Sequence, residues 1–237
     1  MTQKTEGIVL RTVKYQEANL ITTMYTLDHG LLSFIAKGVR RTNSRKKHSY
    51  FQPMSIVDMI FWHRENRDLQ KLSESKTAHL LLSAQTDPVK LSLGLAVLEI
   101  FSACVKEETP NPPLYIFLKT YILELDQQER NLIHLFIFFL LHLTAHLGFF
   151  PNDKSEESSK VSLDVRGGTV SANSSGGDDI SLLMRRFLYA DWESCREITF
   201  DRDQKRHLIR TLFDYYHQHV EGFKYPKTMQ VFAEVFG

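Results

Sequence analysis

Cysteine is nearly absent from this chain: Cys104 and Cys195 are the only two in 237 residues, and no C-x-x-C spacing occurs. That excludes a disulfide framework and a cysteine-built zinc site, and leaves two reduced thiols as the expectation. A global charge excess is also missing, since 29 Lys and Arg face 28 Asp and Glu. The opening MTQKTEGIVLRTV lacks the apolar run and small-residue cleavage site of a secretory leader, so a cytoplasmic location is expected. No G-x-x-x-x-G-K-[ST] loop, H-E-x-x-H helix, G-x-S-x-G elbow or EF-hand loop is present. These absences speak against an enzyme, and specifically against one driven by its own ATP hydrolysis. No catalytic residue and no cofactor is assigned.

Long apolar runs are scarce too, with one exception. From Leu132 to Phe150, LIHLFIFFLLHLTAHLGFF holds no acid, lysine or arginine over 19 residues, just enough to span a bilayer. His134, His142, Thr144 and His146 interrupt it, and Gly148 and Pro151 end it as they end a soluble helix. A buried core helix is expected, with no membrane partner. His142 and His146 share a helix face at i, i+4, the spacing two metal ligands need, but no third ligand is identifiable and no metal is assigned.

What is present is a division of pattern and charge near residue 80. Residues 1–80 hold 13 Lys or Arg against 7 Asp or Glu, a balance of +6, and the remainder carries −5. A basic first domain suits a polyanionic partner, and the mildly acidic second part suits another task. Five short stretches before residue 80 alternate like strands: from Gly7, Leu20, Leu31, Ser55 and Asp68. Turn residues Asp28-His29-Gly30 and Arg64-Glu65-Asn66 join the second to the third and the fourth to the fifth as hairpins. Five strands with a long third connection predict a small closed or partly open barrel of the OB type.

From Asp87 the period becomes helical. Helices are expected from Pro88 to about Lys106, from about Leu114 to Leu125 and from Arg130 to Leu147, the three together building a second core. Others are expected near Ile180–Ala190, Asp203–Val220 and Lys227–Phe236. Between them, residues 151–179 are rich in Ser, Gly and Asp, with a small hairpin expected in SLDVRGGTVS. The predicted architecture is therefore α+β: an OB-fold barrel over residues 1–80, then a mostly helical domain over 81–237 with an insertion at about 151–179.

The local charge is concentrated in AKGVRRTNSRKKHSYFQP, residues 36–53. Lys37, Arg40, Arg41, Arg45, Lys46 and Lys47 fall there, and no acid occurs between Asp28 and Asp58. Arg11 and Lys14 add charge on the first strand, Tyr50 follows the run, and Trp62 lies at the end of the fourth strand. Cationic grooves with aromatic platforms bind single strands, because phosphate gives sequence-independent affinity and every base offers a π-face. These ten residues are the candidate DNA contacts. Barrel and loop alone do not read the sugar, so an RNA-binding OB protein of translation or RNA processing is the alternative. Phe51 and Phe61 are assigned to the core.

The run GIVLRTVKYQEANLITTMYTLDHGLLSFIAKGVRR, continued by Gln52-Pro53, resembles the RecO family of bacterial recombination mediators. The likeness is carried by Gly7, Tyr15, Glu17, Leu20, Thr22, His29-Gly30 and Ala36-Lys37-Gly38-Val39-Arg40-Arg41. It implies an N-terminal OB-fold, a helical C-terminal domain, binding of single- and double-stranded DNA, and strand annealing. It also implies partnership with RecR and with the acidic tail of the single-stranded DNA-binding protein SSB, so that RecA loads onto SSB-coated DNA. Many members carry a four-cysteine zinc motif after the central helix. This chain has no cysteine there, so zinc is not carried over.

Overall fold

The structure is a computed structural model, and it describes residues 1–39, 49–64, 67–155, 161–172 and 178–227. It divides into two compact units, Met1–Gln127 and Gln128–Pro226.

In the first unit, β1 (Thr2–Tyr15), β2 (Asn19–Thr26), β3 (Gly30–Ala36), β4 (Ile56–Trp62) and β5 (Leu69–His79) close into a barrel in the order β1-β2-β3-β5-β4. The expected five-stranded OB-type barrel is thus present. Strand β1 runs 14 residues, well beyond the Gly7–Val13 stretch that alternation marks, because it serves two neighbours. Thr2–Ile8 pair with β4, Gly7–Tyr15 pair with β2, and a bulge lies between Val9 and Arg11. Ile8, Val9 and Leu10 are buried in succession: Val9 lies in the barrel interior, Ile8 on the opposite face, and Leu10 at the bulge that breaks the two-residue period. At Gly7, where both pairings overlap, an added Cβ would lie 2.4 Å from the Met59 side chain. A larger residue there would have to displace the end of the Met59 side chain.

Hairpins β2–β3 and β4–β5 are antiparallel as expected, and the ring is closed by a short parallel pairing of β3 with β5. Met24, Phe34, Phe51, Met59 and Phe61 fill the interior, so Phe51 and Phe61 are core residues. Gly30 adopts a φ of +63°, and a Cβ there would also lie 2.5 Å from the Thr109 carbonyl oxygen. Backbone conformation and space both demand glycine at this hairpin.

Among the described residues, the barrel is followed in this unit by two helices: α1 (Pro88–Cys104), capped by the Asp87 carboxylate, and α2 (Pro112–Gln127). They differ from the expected arrangement, in which they would share a core with the next helix. Ile8, Tyr25 and Ile56 face outward in register on three barrel strands yet are buried. Tyr25 lies edge-on to Phe101 at 5.0 Å and near Tyr115 at 6.4 Å. The Tyr115 hydroxyl and Lys119 Nζ donate to Glu6 Oε1 at 2.9 and 2.7 Å. An apolar patch outside the barrel therefore claims α1 and α2. The chain leaving the barrel is held to the end of α2 by Asp126, whose carboxylate accepts from the amides of Leu82, Ser83 and Ala84 at 3.0, 2.8 and 2.7 Å. Buried Lys90 donates to Ser83 Oγ and the Asp126 carbonyl at 2.6 and 2.7 Å.

The second unit is organised on α3 (Leu132–His146), with Leu135 to Leu141 buried without interruption. The expected core helix is present, and no described helix is long and apolar enough to cross a membrane. Around it lie α4 (Asp179–Leu188), a 3₁₀ turn (Ser194–Glu197) and α5 (Arg202–His219). Tyr216 donates to the Leu140 carbonyl and Tyr215 to that of Phe149, both at 2.7 Å. The insertion forms a small sheet of β6 (Asn152–Asp153), β8 (Thr169–Ala172) and β7 (Val161–Asp164), with β7 and β8 as the expected hairpin. The helix expected at Lys227–Phe236 lies almost wholly outside the described residues.

A four-thiolate zinc does not fit this insertion, because residues 151–179 supply no cysteine. Its base is fastened by Asp153, which takes Arg185 Nε at 2.8 Å and the Tyr189 hydroxyl at 2.9 Å on one oxygen and the Ser155 amide at 2.9 Å on the other. Burial alone would raise the Asp153 carboxyl, but the Ser155, Tyr189 and Arg185 hydrogen bonds hold it down at about 2. A depressed carboxyl stabilises the fold above its unfolded value of 3.8 and loses that contribution as pH falls through the folded value. We expect Asp153→Asn to be less stable by about 2 kcal/mol at neutral pH. Its stability should also fall less steeply between pH 4 and 2, measurable by urea unfolding across that range.

Candidate nucleic-acid interface

Strand register decides which candidate side chains meet. On the outer face of the barrel, Val13 pairs with Ile21, Ile21 with Ile35, Ile35 with Lys71, and Lys71 with Trp62. This row crosses β1, β2, β3, β5 and β4, a path of roughly 19 Å at about 4.8 Å per strand. Val13 is 38% and Trp62 49% exposed, so both ends are open to a ligand. The next row runs Arg11, Thr23, Ser33 and Leu69, with Thr23 and Ser33 hydroxyls in contact at 3.1 Å. Arg11 is exposed at its end. On the other side, exposed Lys37 follows β3 next to Gly38, whose amide donates to Asn19 Oδ1 at 3.1 Å. A track of aliphatic and hydroxyl side chains is therefore edged by Arg11, Lys37 and Lys71 and ends on an indole.

The remaining candidates distribute as follows. Lys14 is exposed near the end of β1 but pairs with Leu20, one residue out of phase with Arg11. Tyr50 is half-buried against the barrel core. Arg40, Arg41, Arg45, Lys46 and Lys47 lie outside the described residues.

Three cations that sequence reasoning did not assign complete the Trp62 end. Arg64, Arg67, Leu69, Gln70 and Lys71 line an open cleft of about 320 Å³ with Trp62. The signal was available: three cations in eight residues, starting two after a tryptophan at a strand end. It was obscured by Glu65 and Asp68 in the same turn, and only the β3–β5 closure brings Lys71 beside Ile35. At the barrel end, His29 stacks on His63 at 5.2 Å and meets Phe61 edge-on at 5.3 Å. Burial and the neighbouring His63 lower the His29 pKa.

Two histidines of α3 are held by structural contacts. His142 Nε2 lies 3.0 Å from the Phe187 carbonyl and its ring stacks on Phe138 at 4.0 Å. His134 Nε2 lies 2.9 Å from the Ile198 carbonyl. Among the described residues, no group of three His, Cys, Asp or Glu side chains is placed to hold a metal.

Fold and surface together define the class: an OB-barrel protein with a cation-edged outer face and a second, helical unit. Residues 1–81 match the family model described as Recombination protein O N terminal, and residues 85–229 match Recombination protein O C terminal. The chain is similar to the DNA repair protein RecO of Christiangramia forsetii, 30% identical with 98% of both chains covered. It is also similar to the proteins of that name in Flavobacterium johnsoniae, 29% identical over 98% of both chains, and Phocaeicola vulgatus, 28% identical over the full length of both. The chain belongs to the recombination protein O, or RecO, family of DNA-repair recombination proteins.

Proposed function

We propose that this protein is a non-enzymatic recombination mediator in DNA repair. Its basic barrel, residues 1–80, binds single- and double-stranded DNA and anneals complementary strands. Its region 81–237 docks the acidic tail of SSB and works with RecR, so that RecA loads onto SSB-coated single strands. The observation that carries the reading is the cation-edged track from Val13 to Trp62 in a chain of this family. Annealing then has a simple electrostatic account. Cations on one surface neutralise two strands that would otherwise repel, and released counterions favour both contacts. In this reading Lys37, Arg40, Arg41, Arg45, Lys46 and Lys47, with Arg11 and Lys14, supply phosphate affinity, and Tyr50 and Trp62 flank them.

The test is annealing of complementary oligonucleotides, bare and SSB-coated. We expect the protein to accelerate both, and to lose the second activity when SSB lacks its C-terminal tail. No acceleration of bare strands would refute the DNA role, and indifference to the tail would refute the docking role. Preference for RNA over a matched DNA competitor would favour the RNA-binding alternative.

A further inference from the structure

The geometry points to a nucleotide subsite in the cleft at the β4–β5 end of the barrel, where one unpaired base stacks on Trp62 and Arg64, Arg67 and Lys71 hold the adjoining phosphates. This rests on the DNA-binding reading above and adds where a single strand is gripped and why it must be unpaired.

The cleft has the composition such a site requires. Its lining is one indole, three cations, one amide and one leucine around about 320 Å³. Trp62 is 49% exposed at the end of β4, so its indole is open to a stacking partner. Two of the barrel's acids are engaged elsewhere: Asp58 pairs with Lys76 at 3.3 Å and Glu6 with Lys119 at 2.7 Å. Asp68, exposed on the same turn, does not line the cleft.

The backbone at Arg64 and at Arg67 is also held in advance. Gln70 is 2% exposed, because its register beside Phe34 turns it into the barrel. Its Oε1 accepts the Arg64 amide at 2.9 Å, and its Nε2 donates to the carbonyls of Arg64 at 2.9 Å and Arg67 at 2.7 Å. A buried side-chain amide spent wholly on one turn fixes the backbone from which Arg64 and Arg67 project. The ordering that binding would otherwise require is done at folding. Gln70 is thus a positioning residue for this subsite.

Selectivity follows from the stacking partner. Bases inside a duplex already have both faces covered, whereas an unpaired base or a strand end offers a free face to the indole. From Trp62 the row through Lys71, Ile35, Ile21 and Val13 continues the path across the barrel.

The chain has two tryptophans, so Trp192→Phe leaves Trp62 as the sole indole reporter. Titration with oligothymidine should quench its fluorescence, and a blunt duplex of equal length should not. The difference in quench between wild type and Trp62→Phe gives the same reading without the Trp192 change. Trp62→Ala should weaken oligothymidine binding about 5- to 100-fold, with Trp62→Phe recovering most of it and duplex affinity changing less than about twofold. Arg64→Ala and Arg67→Ala should each reduce the salt slope on single strands by about 0.7. Gln70→Leu, with folding verified by circular dichroism, should weaken single-strand binding although every charge remains. Normal binding by Trp62→Ala with no quench would overturn the subsite and leave the DNA reading intact. Absence of oligothymidine and duplex binding by the wild type would overturn both.

Discussion

Replacing Arg40, Arg41, Arg45, Lys46 and Lys47 together by alanine is expected to weaken single-strand binding about 100-fold or more at low salt and to flatten its salt dependence. The reason is counterion release. If the six cations from Lys37 to Lys47 each neutralise one phosphate, they contribute about −4 to the log-log salt slope on single strands, at about −0.7 per contact. Removing five takes away roughly 3.5 of that slope. No acid between Asp28 and Asp58 offsets these charges, so their field is available to a ligand. Residues 1–80 would drop from +6 to +1, and the cations of the Trp62 cleft would become the main remaining contacts. Fluorescence anisotropy of a labelled oligothymidine between 50 and 200 mM salt measures the effect. An unchanged slope would remove the segment from the interface and leave the outer-face track to carry binding alone.

The largest stability effect is expected at Asp126. Its side chain holds three consecutive backbone amides where the chain passes from barrel to helices, and its carbonyl takes the buried Lys90 ammonium. Asp126→Ala strands those amides and removes the carboxylate that stabilises Lys90. We expect a loss of about 3–5 kcal/mol, with the Tm lower by roughly 10 °C. Asp126→Asn keeps an acceptor for the Ser83 and Ala84 amides and should fall between. Although burial would raise the carboxyl, the amides of Ala84, Leu82 and Ser83 and the charge of Lys90 leave its pKa below the ordinary value. The stabilisation is therefore present above pH 3.8 and lost as pH falls through the folded pKa. Thermal unfolding between pH 7 and 2 should show this acid lability in the wild type and a reduced one in both variants. Equal acid sensitivity in all three would contradict the role assigned to this carboxylate.

Strand alternation, hairpin turns and helix caps are local signals, and they identified the barrel, the α3 core helix and the β7–β8 hairpin. Where one residue answers to two neighbours, local pattern misleads. β1 reads as seven residues, whereas it runs on at both ends because Thr2–Ile8 pair with β4 and Gly7–Tyr15 with β2. Helices α1 and α2 read as part of a second core because their apolar stripes do not name the surface they cover. That surface is the outward row Ile8, Tyr25 and Ile56, whose exterior placement is visible only from register.

The candidate interface divides in the same way. The amino-acid sequence by itself determined that charge concentrates between Lys37 and Lys47, that Arg11 and Trp62 flank it, and that no G-x-x-x-x-G-K-[ST] motif occurs. Those are properties of composition and spacing, which survive without a fold. Only the tertiary structure decided that Trp62, Lys71, Ile35, Ile21 and Val13 form one row and that Gln70 fixes the turn bearing Arg64 and Arg67. The physical reason is closure of the barrel. The parallel pairing of β3 with β5 joins strands separated by more than 30 residues, and no neighbouring side chain along the chain encodes that contact.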